Sequence, residues 1–382
     1  MKIKRELFID IRSGSVGGAL VESSPKGKEI VFSLRESVPI QARFDAKRQE
    51  SSVIQSLRGL LEKIKINGKA RPPSIIHITL GTPWHISQTR SIVHSADIPV
   101  EYDDSLVRQL FAEEEVAFKE EHPDTGFEFI ERKILAVYLN GYLVNKPLGK
   151  LAKETRLSFY LSSANTNLIK SLKKQLNEYY HQDISFHTFP LLSLVGSNEA
   201  LAGKTNSYVL VDLEGEVSEV SYIKYGMGVE TFSFPLGAHS IEREIARSFR
   251  TTPTEARSVY EAFLMDAVTE KVNQVISNAL TDTKIKWTTY LHDILEKISA
   301  KHILPQTVVI IANKATARQF CEIMEEAEIT KLFSNQSDRK IVILDTETFN
   351  HGWRITPEAS SLDVFLACEI FAIDRLTYLP YN

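Results

Sequence analysis

The feature that most constrains this chain is a strand–acidic turn–strand–turn–strand unit that occurs twice. Leu7–Ile11 reads as a strand running into Asp10-Ile11-Arg12-Ser13-Gly14-Ser15, followed by the strands Val16–Val21 and Glu29–Val38 on either side of Pro25-Lys26-Gly27. Tyr208–Val211 enters Asp212-Leu213-Glu214-Gly215-Glu216-Val217-Ser218-Glu219, followed by Val217–Lys224 and Val229–Phe234 around Tyr225-Gly226. Asp10 answers Asp212. Two copies of one unit predict two lobes of common design, and the 382 residues are too many for one ordinary core.

Between and beyond the copies, the pattern changes character. A helix is predicted over residues 50–65, with Val53, Leu57, Leu60, Leu61 and Ile64 on one face, and an apolar strand over Ile75–Leu80. Residues 84–163 then read as strand, helix, strand, strand: His85–Val93, a helix from Tyr102-Asp103-Asp104 to about Phe118, Lys133–Leu139 and Arg156–Ser162. Helices are expected over 166–180 and from Pro190 onward. Residues 240–303 read as all-helical, with separate helices over 239–249, 254–266, 272–280 and 287–299. Thr307–Ala312 and Ile341–Asp345 read as strands, Ala315–Glu325 and Ser360–Ile373 as helices. Strands interleaved with helices in this way indicate an α/β fold.

Composition excludes several function classes. A net charge of −4 offers no footprint for nucleic acid. No run approaches the roughly 18 apolar residues of a membrane span, and the basic start Met1–Glu6 has no signal-like apolar run after it. The ten histidines form no paired-ligand spacing, so no metal site is expected, and Glu113-Glu114-Glu115 reads as a solvated helix face. Two isolated cysteines, Cys321 and Cys368, fit a reducing compartment. The expected location is the cytoplasm.

The two acidic turns carry the chemistry. A loop that holds phosphate brings bare backbone N–H groups against anionic oxygens, which requires small residues. The second turn instead carries Glu214 and Glu216, whose carboxylates would meet an anion with repulsion of about 1 kcal/mol each in water-like surroundings and about 4 in a partly buried site. Arg12 in the first turn has two readings: it forks onto phosphate, or it pairs with Glu214 or Glu216 across a cleft.

The order of these parts resembles the actin-like ATPase superfamily and, within it, the FtsA/PilM branch. Asn140-Gly141-Tyr142 with Pro147-Leu148-Gly149-Lys150, Phe234-Pro235-Leu236-Gly237 and Thr254-Glu255-Ala256-Arg257-Ser258-Val259-Tyr260 are similar to stretches of that branch. The resemblance implies a two-lobed, ribonuclease H-like α/β fold with a small strand-helix-strand-strand insert in the first lobe. The implied units are residues 1–83 and 164–205 for the first lobe, 84–163 for the insert, 206–239 and 304–382 for the second lobe, and 240–303 for its helical subdomain. It also implies ATP with magnesium between the lobes, at Asp10, Arg12, Ser13, Ser15, Asp212, Gly215, Ser218 and Glu255. Here the sequence departs from the pattern. Arg12 stands at a glycine position, Glu214 and Glu216 replace two glycines, Val217 replaces a hydroxyl, and Ala312-Asn313-Lys314-Ala315 lacks the glycine pair beside the base.

The resulting expectation is a degenerate member without cofactor: a non-catalytic scaffold at the cytoplasmic face of the inner membrane. It would bind protein partners, such as a cytoplasmic tail peptide, in cell division or type IV pilus assembly, and self-association is possible for such a fold. The alternative is an active ATP- and magnesium-binding ATPase or small-molecule kinase of the same fold.

Overall fold

The computed structural model describes residues 3–67, 71–123, 126–333 and 339–376. The chain runs through β1 (Lys4–Ile11), β2 (Ser15–Ser24), β3 (Gly27–Ser37), α1 (Ala46–Asn67) and β4 (Ile75–Leu80), then β5 (Ile86–Glu101), α2 (Asp104–Glu121), β6 (Phe127–Leu139), β7 (Tyr142–Leu143) and β8 (Leu151–Asn165). It continues through α3 (Thr166–Asn177), β9 (Ile184–Thr188), α4 (Phe189–Ala200), β10 (Tyr208–Leu213), β11 (Ser218–Lys224), β12 (Met227–Phe234), α5 (His239–Phe249), α6 (Pro253–Leu264) and α7 (Glu270–Ser299). It closes with β13 (Thr307–Ile311), α8 (Lys314–Met324), α9 (Ala327–Thr330), β14 (Lys340–Leu344), α10 (Thr346–Phe349), β15 (Arg354–Ile355) and α11 (Val364–Leu376).

These strands form three sheets, ordered β15-β3-β2-β1-β4-β9, β12-β11-β10-β13-β14 and β5-β8-β6-β7. The first two are built alike. β1 lies antiparallel to β2 and parallel to β4, with Asp10 opposite Gly17 and Thr79. β10 lies antiparallel to β11 and parallel to β13, with Asp212 opposite Glu219 and Ile311. The sequence repeat is thus a repeat of sheet topology, and it sets both aspartates at equivalent strand ends.

Helices cover both faces of each large sheet, which explains why their strands read as nearly continuous apolar runs. On the first sheet, Leu7, Ile9 and Ile11 pack against Val53, Leu57, Leu60, Leu61 and Ile64 of α1 and against Leu168, Ile169 and Leu172 of α3. Each such aliphatic side chain contributes about 2 kcal/mol of burial. The opposite face, with Phe8, Ala19 and Val21, meets Leu191 and Leu192 of α4 and Leu366, Ile370 and Ile373 of α11. The same two helices also cover Tyr208 and Leu210 of the second sheet, through Phe189, Leu194, Phe365 and Cys368. The central pair α4 and α11 is therefore shared, and it holds the two sheets face to face across a cleft. The outer face of the second sheet rests on α5, α7 and α8.

Three local expectations change. The predicted helices at 272–280 and 287–299 are one helix, α7: Ile276, Ala279, Thr283, Trp287, Leu291 and Ile298 form a continuous buried stripe. The polar stretch between them contains no proline or glycine, and Thr283 bonds back to Ala279 O (3.0 Å) inside the helix. Residues 140–150, which join the predicted strands Lys133–Leu139 and Arg156–Ser162, include the short strand β7, paired with Tyr138 and Leu139. Finally, residues 304–382 were assigned together to the second lobe, but β15 pairs with Glu29 and Ile30 of the first sheet and α11 packs on both.

Candidate functional site

Arg12 sits where the two repeats meet, fully buried. Its Nε donates to Asp10 Oδ1 and Oδ2 (3.1 and 3.0 Å), and its Nη1 donates to Asp212 Oδ1 and Oδ2 (3.1 and 3.2 Å) and to Glu214 Oε1 (3.1 Å). The guanidinium is clamped between the rings of Phe189 and Phe365, its carbon 3.7 and 3.8 Å from their centroids. A planar cation with two aromatic faces and carboxylates at its edge matches guanidinium geometry, which lysine would not satisfy. Arg35 extends the cluster, donating to Asp10 Oδ2 (2.6 Å), to both carboxylate oxygens of Asp363 (2.7 and 3.0 Å) and to Ser15 Oγ (2.9 Å).

Glu214 does something the sequence reading did not anticipate. Its carboxylate does not face an incoming anion; it takes the place of one. Glu214 Oε2 accepts from Ser13 Oγ (2.7 Å), Gly14 N (3.2 Å) and Gly215 N (3.1 Å), so it uses loop donors from both repeats. Glu216 N donates to Ser13 Oγ (3.0 Å). The first N–H groups of α5, a natural anion seat, are also taken: Ala238 N donates to Glu214 O (2.7 Å) and His239 N to Gly215 O (2.8 Å). The loops touch through backbone. A Cβ on Gly215 would lie 2.4 Å from Gly14 Cα, and one on Gly14 would lie 2.7 Å from Gly215 Cα.

Of the two carboxylates offered as partners for Arg12, Glu214 is the one that pairs with it, and Glu216 is not. Glu216 pairs instead with Arg243 Nη2 (2.6 Å) and His239 Nδ1 (2.9 Å), because it projects toward α5. Burial alone would raise the Glu216 carboxyl, but the hydrogen bonds from His239 and Arg243 outweigh it and hold the carboxyl below its usual range. Arg243 also crosses to the first repeat's side, where its Nε donates to Gln41 O (2.8 Å).

The cluster holds more carboxylates than cations: Asp10, Asp212, Glu214 and Asp363 surround Arg12 and Arg35. Excess buried negative charge favours protonation. Burial pushes the Asp212 carboxyl up to about 7, with Glu214 and Glu219 adding to the rise and Arg12 opposing it. Burial likewise lifts Glu219 to about 7, against the hydrogen bond from Thr82 Oγ1 (2.6 Å) and the field of Arg12. Glu369, wholly buried on α11 near Asp10, is pushed well above the ordinary carboxylate range by burial and then by Asp10. For Arg12 the surrounding carboxylates, led by Asp212, outweigh burial and secure its charge.

The other sequence-named residues divide. Ser218 lies buried at the second turn, its hydroxyl donating to Leu236 O (2.6 Å). Ser15 and Gly215 reach the open part of the cleft, a cavity of about 1210 Å³. Glu255 stands apart: its carboxylate closes a capping box with Thr252 at the start of α6 and is exposed. From that helix Arg257, Tyr260 and Glu261 line the cavity instead, opposite Asn313, Lys314 and Ala315. Sequence reasoning missed Phe189, Phe365, Arg35 and Asp363. Nothing in local spacing signals them, since Arg35 comes from β3, Phe189 from α4, and Asp363 and Phe365 from the start of α11.

A chain of the PilM-PilN type IV pilus biogenesis complex superposes with a TM-score of 0.65 at 12% identity, covering 97% of this chain and 98% of that one. The fold is that of the actin-like ATPases. More distant likenesses are the ethanolamine utilization protein EutJ from Carboxydothermus hydrogenoformans (TM-score 0.46, 12% identity, 97% and 91% covered) and MreB 5 of Spiroplasma citri bound to AMPPNP (TM-score 0.41, 9% identity, 98% and 96% covered). No protein-family profile matches the chain, and no curated protein matches its sequence. In this actin-like fold the two acidic turns face each other across the cleft, and here side chains of the protein fill the space between them. Among the described residues no helix is long and apolar enough to cross a membrane.

Proposed function

We propose that this protein is a non-catalytic actin-fold scaffold that binds a partner protein in type IV pilus assembly, at the cytoplasmic face of the membrane. The observation that carries the non-catalytic reading is the Glu214 carboxylate, which takes the loop N–H and hydroxyl donors that a phosphate would require. A triphosphate would have to displace that carboxylate, break the Arg12 contacts and separate Gly14 from Gly215. The overall likeness to a chain of the PilM-PilN complex supports the pathway. That likeness extends over nearly the whole chain, including the β5–β8 sheet and α2. Residues 84–163 are the proposed partner-binding insert, and 240–303 a second contact surface.

The remaining cavity beside Tyr260 favours one further reading, a nucleotide held with its phosphates displaced from the turns. Titration with a fluorescent ATP analogue and magnesium separates the two. The scaffold reading expects no saturation at micromolar concentrations. Saturation there that Arg35→Ala and Lys314→Ala weaken would replace it with a nucleotide-binding function. Partner capture is the second test: deleting residues 84–163 is expected to abolish recovery of pilus-assembly proteins while the two large sheets stay folded.

A further inference from the structure

Away from the cleft, titratable side chains form a line where the first large sheet meets the four-stranded sheet. Glu6 of β1, His77 of β4 and His187 of β9 come from neighbouring strands of the first sheet, and Glu131 comes from β6 of the other. Glu6 Oε1 lies 3.4 Å from His77 Nε2, His77 Nδ1 lies 3.3 Å from His187 Nε2, and His187 Nδ1 lies 3.5 Å from Glu131 Oε1. All of these residues are buried. Phe8 stacks on the His77 ring, with 4.9 Å between centroids.

The line is one proton short. Each of its contacts joins two atoms that can both accept, so each becomes a hydrogen bond only with one proton in it. An ionised carboxylate at either end brings none, and a neutral imidazole brings one. Two neutral rings therefore fill two contacts, and the remaining one stays empty in every choice of tautomers. Glu131 Oε1 and His187 Nδ1 are the buried atoms of this line without a hydrogen-bond partner, although they face each other. The other oxygen of Glu131 is saturated: Oε2 accepts from Ser162 Oγ (3.0 Å), Thr188 N (3.0 Å) and Thr188 Oγ1 (2.5 Å).

The surroundings place the missing proton. On β1, Lys4 pairs with Glu6 (2.7 Å). Burial would raise the Glu6 carboxyl, but the hydrogen bonds from His77 and Lys4 outweigh it and lower the carboxyl to about 2, so this end stays a pure acceptor. Burial lowers the basicity of His77 more than Glu6 restores it, which leaves the far end of the line as the point of entry. There, Ser185 Oγ of β9 lies 3.1 Å from His187 Nε2, and Tyr160 of β8 meets Thr188 Oγ1 (2.7 Å). On β6, Lys133 stands two residues from Glu131, on the same face by strand alternation. The helices on this side bring no counter-charge to the rings: α4 carries no charged residue before Glu199, and on α11 Glu369 faces Asp10 while Asp374 pairs with Lys28.

We propose that this line is a proton-operated latch: one proton, entering between His187 and Glu131, completes it and fixes the four-stranded sheet to the first large sheet. With that proton, His187 donates from both ring nitrogens, to Glu131 and to His77, and His77 donates to Glu6. Without it, the junction keeps only the Oε2 side of Glu131, through Thr188 and Ser162. A histidine takes up its proton between about pH 5 and 8, so the latch closes on mild acidification. It needs no ligand and holds whether or not the four-stranded sheet binds a partner.

The test combines NMR of the full chain, isotopically labelled at the histidine ring nitrogens, with amide hydrogen exchange, both from about pH 8 to about pH 5. His187 is expected to gain a proton in that window while His77 keeps one neutral tautomer. Exchange in β6 and β9, corrected for the intrinsic effect of pH, is expected to slow about tenfold on the acid side, as one added charge-assisted hydrogen bond would produce. Glu131→Gln sets an amide N–H opposite His187 Nδ1 and keeps a carbonyl for Thr188 and Ser162. It supplies the missing proton permanently, so β6 and β9 are expected to be equally protected at both ends of the range. The measurements on the parent chain stand without the variant. A His187 ring that stays neutral down to about pH 5 overturns the proposal. So does exchange in β6 and β9 that ignores pH, or that responds to pH just as strongly in Glu131→Gln; either result makes the line a fixed structural contact.

Discussion

The turns at Asp10 and Asp212 have the same backbone setting and opposite electrostatics. Each aspartate ends a strand paired antiparallel on one side and parallel on the other. The first turn supplies a cation, Arg12, and the hydroxyl of Ser13; the second supplies the carboxylates Asp212 and Glu214. Two loops of common design have become complementary to each other. Here Glu214 supplies negative charge and Arg12 positive, so the two turns contact each other directly. The comparison teaches that one topology can carry different charges at equivalent positions, so that the two turns bind each other.

The largest test removes the cation. Arg12→Ala leaves Asp10, Asp212 and Glu214 buried without their shared partner, and breaking a buried ion pair from one side costs about 3–5 kcal/mol. Chemical denaturation near pH 7 is expected to register that loss. A loss below about 1 kcal/mol would mean that the two turns do not depend on each other.

A smaller effect is expected from the backbone contact. Gly215→Ala would place a methyl 2.4 Å from Gly14 Cα, which only separation of the turns relieves. Overpacking of this kind costs about 1–3 kcal/mol. The expected result is lower stability with more rapid hydrogen exchange at Gly14 and Gly215; unchanged exchange would show that the loops already part in solution.

The mildest test concerns protons. Burial pushes the Glu219 carboxyl up to about 7 in the folded protein, from an ordinary value of 4.5. The native state therefore holds a proton that the unfolded chain releases between those values. Stability from this group is complete below pH 4.5 and is lost as pH rises through about 7. Asp212 works in the same direction. Glu219→Gln keeps an acceptor for Thr82 and needs no proton, so above pH 7 it is expected to be more stable than the parent by about 1–2 kcal/mol, with little difference in acid. Melting curves across that range check the sign; a variant less stable than the parent above neutral pH would mean that Glu219 is needed ionised.

Much of the architecture was legible because it rests on local pattern. The apolar face of α1, the Asp103 cap of α2 and the doubled three-strand unit all follow from periodicity and turn chemistry. Sequence spacing failed where burial depends on distant neighbours. The polar stretch at 281–284 looked like a break between helices, yet the packing of Ile276, Trp287 and Leu291 carries α7 through it. Within the site, the sequence located Arg12, Glu214 and the unusual absence of glycines. Of its two readings for Arg12, phosphate or a carboxylate across the cleft, the second holds with Glu214 as the partner; that Glu214 also accepts from the amides of both turns was not legible.

By itself, then, the sequence determined two like sheets with an acidic turn at each and charged residues where small ones would be needed, since strand pattern and residue size are local properties. Only the tertiary structure decided that Phe189 and Phe365 enclose Arg12, that Glu214 takes up the amides of both turns, and that Glu216 turns away to Arg243. Those outcomes depend on which side chains meet across the cleft, and electrostatic complementarity between segments so far apart exists only once α4 and α11 have brought the sheets together.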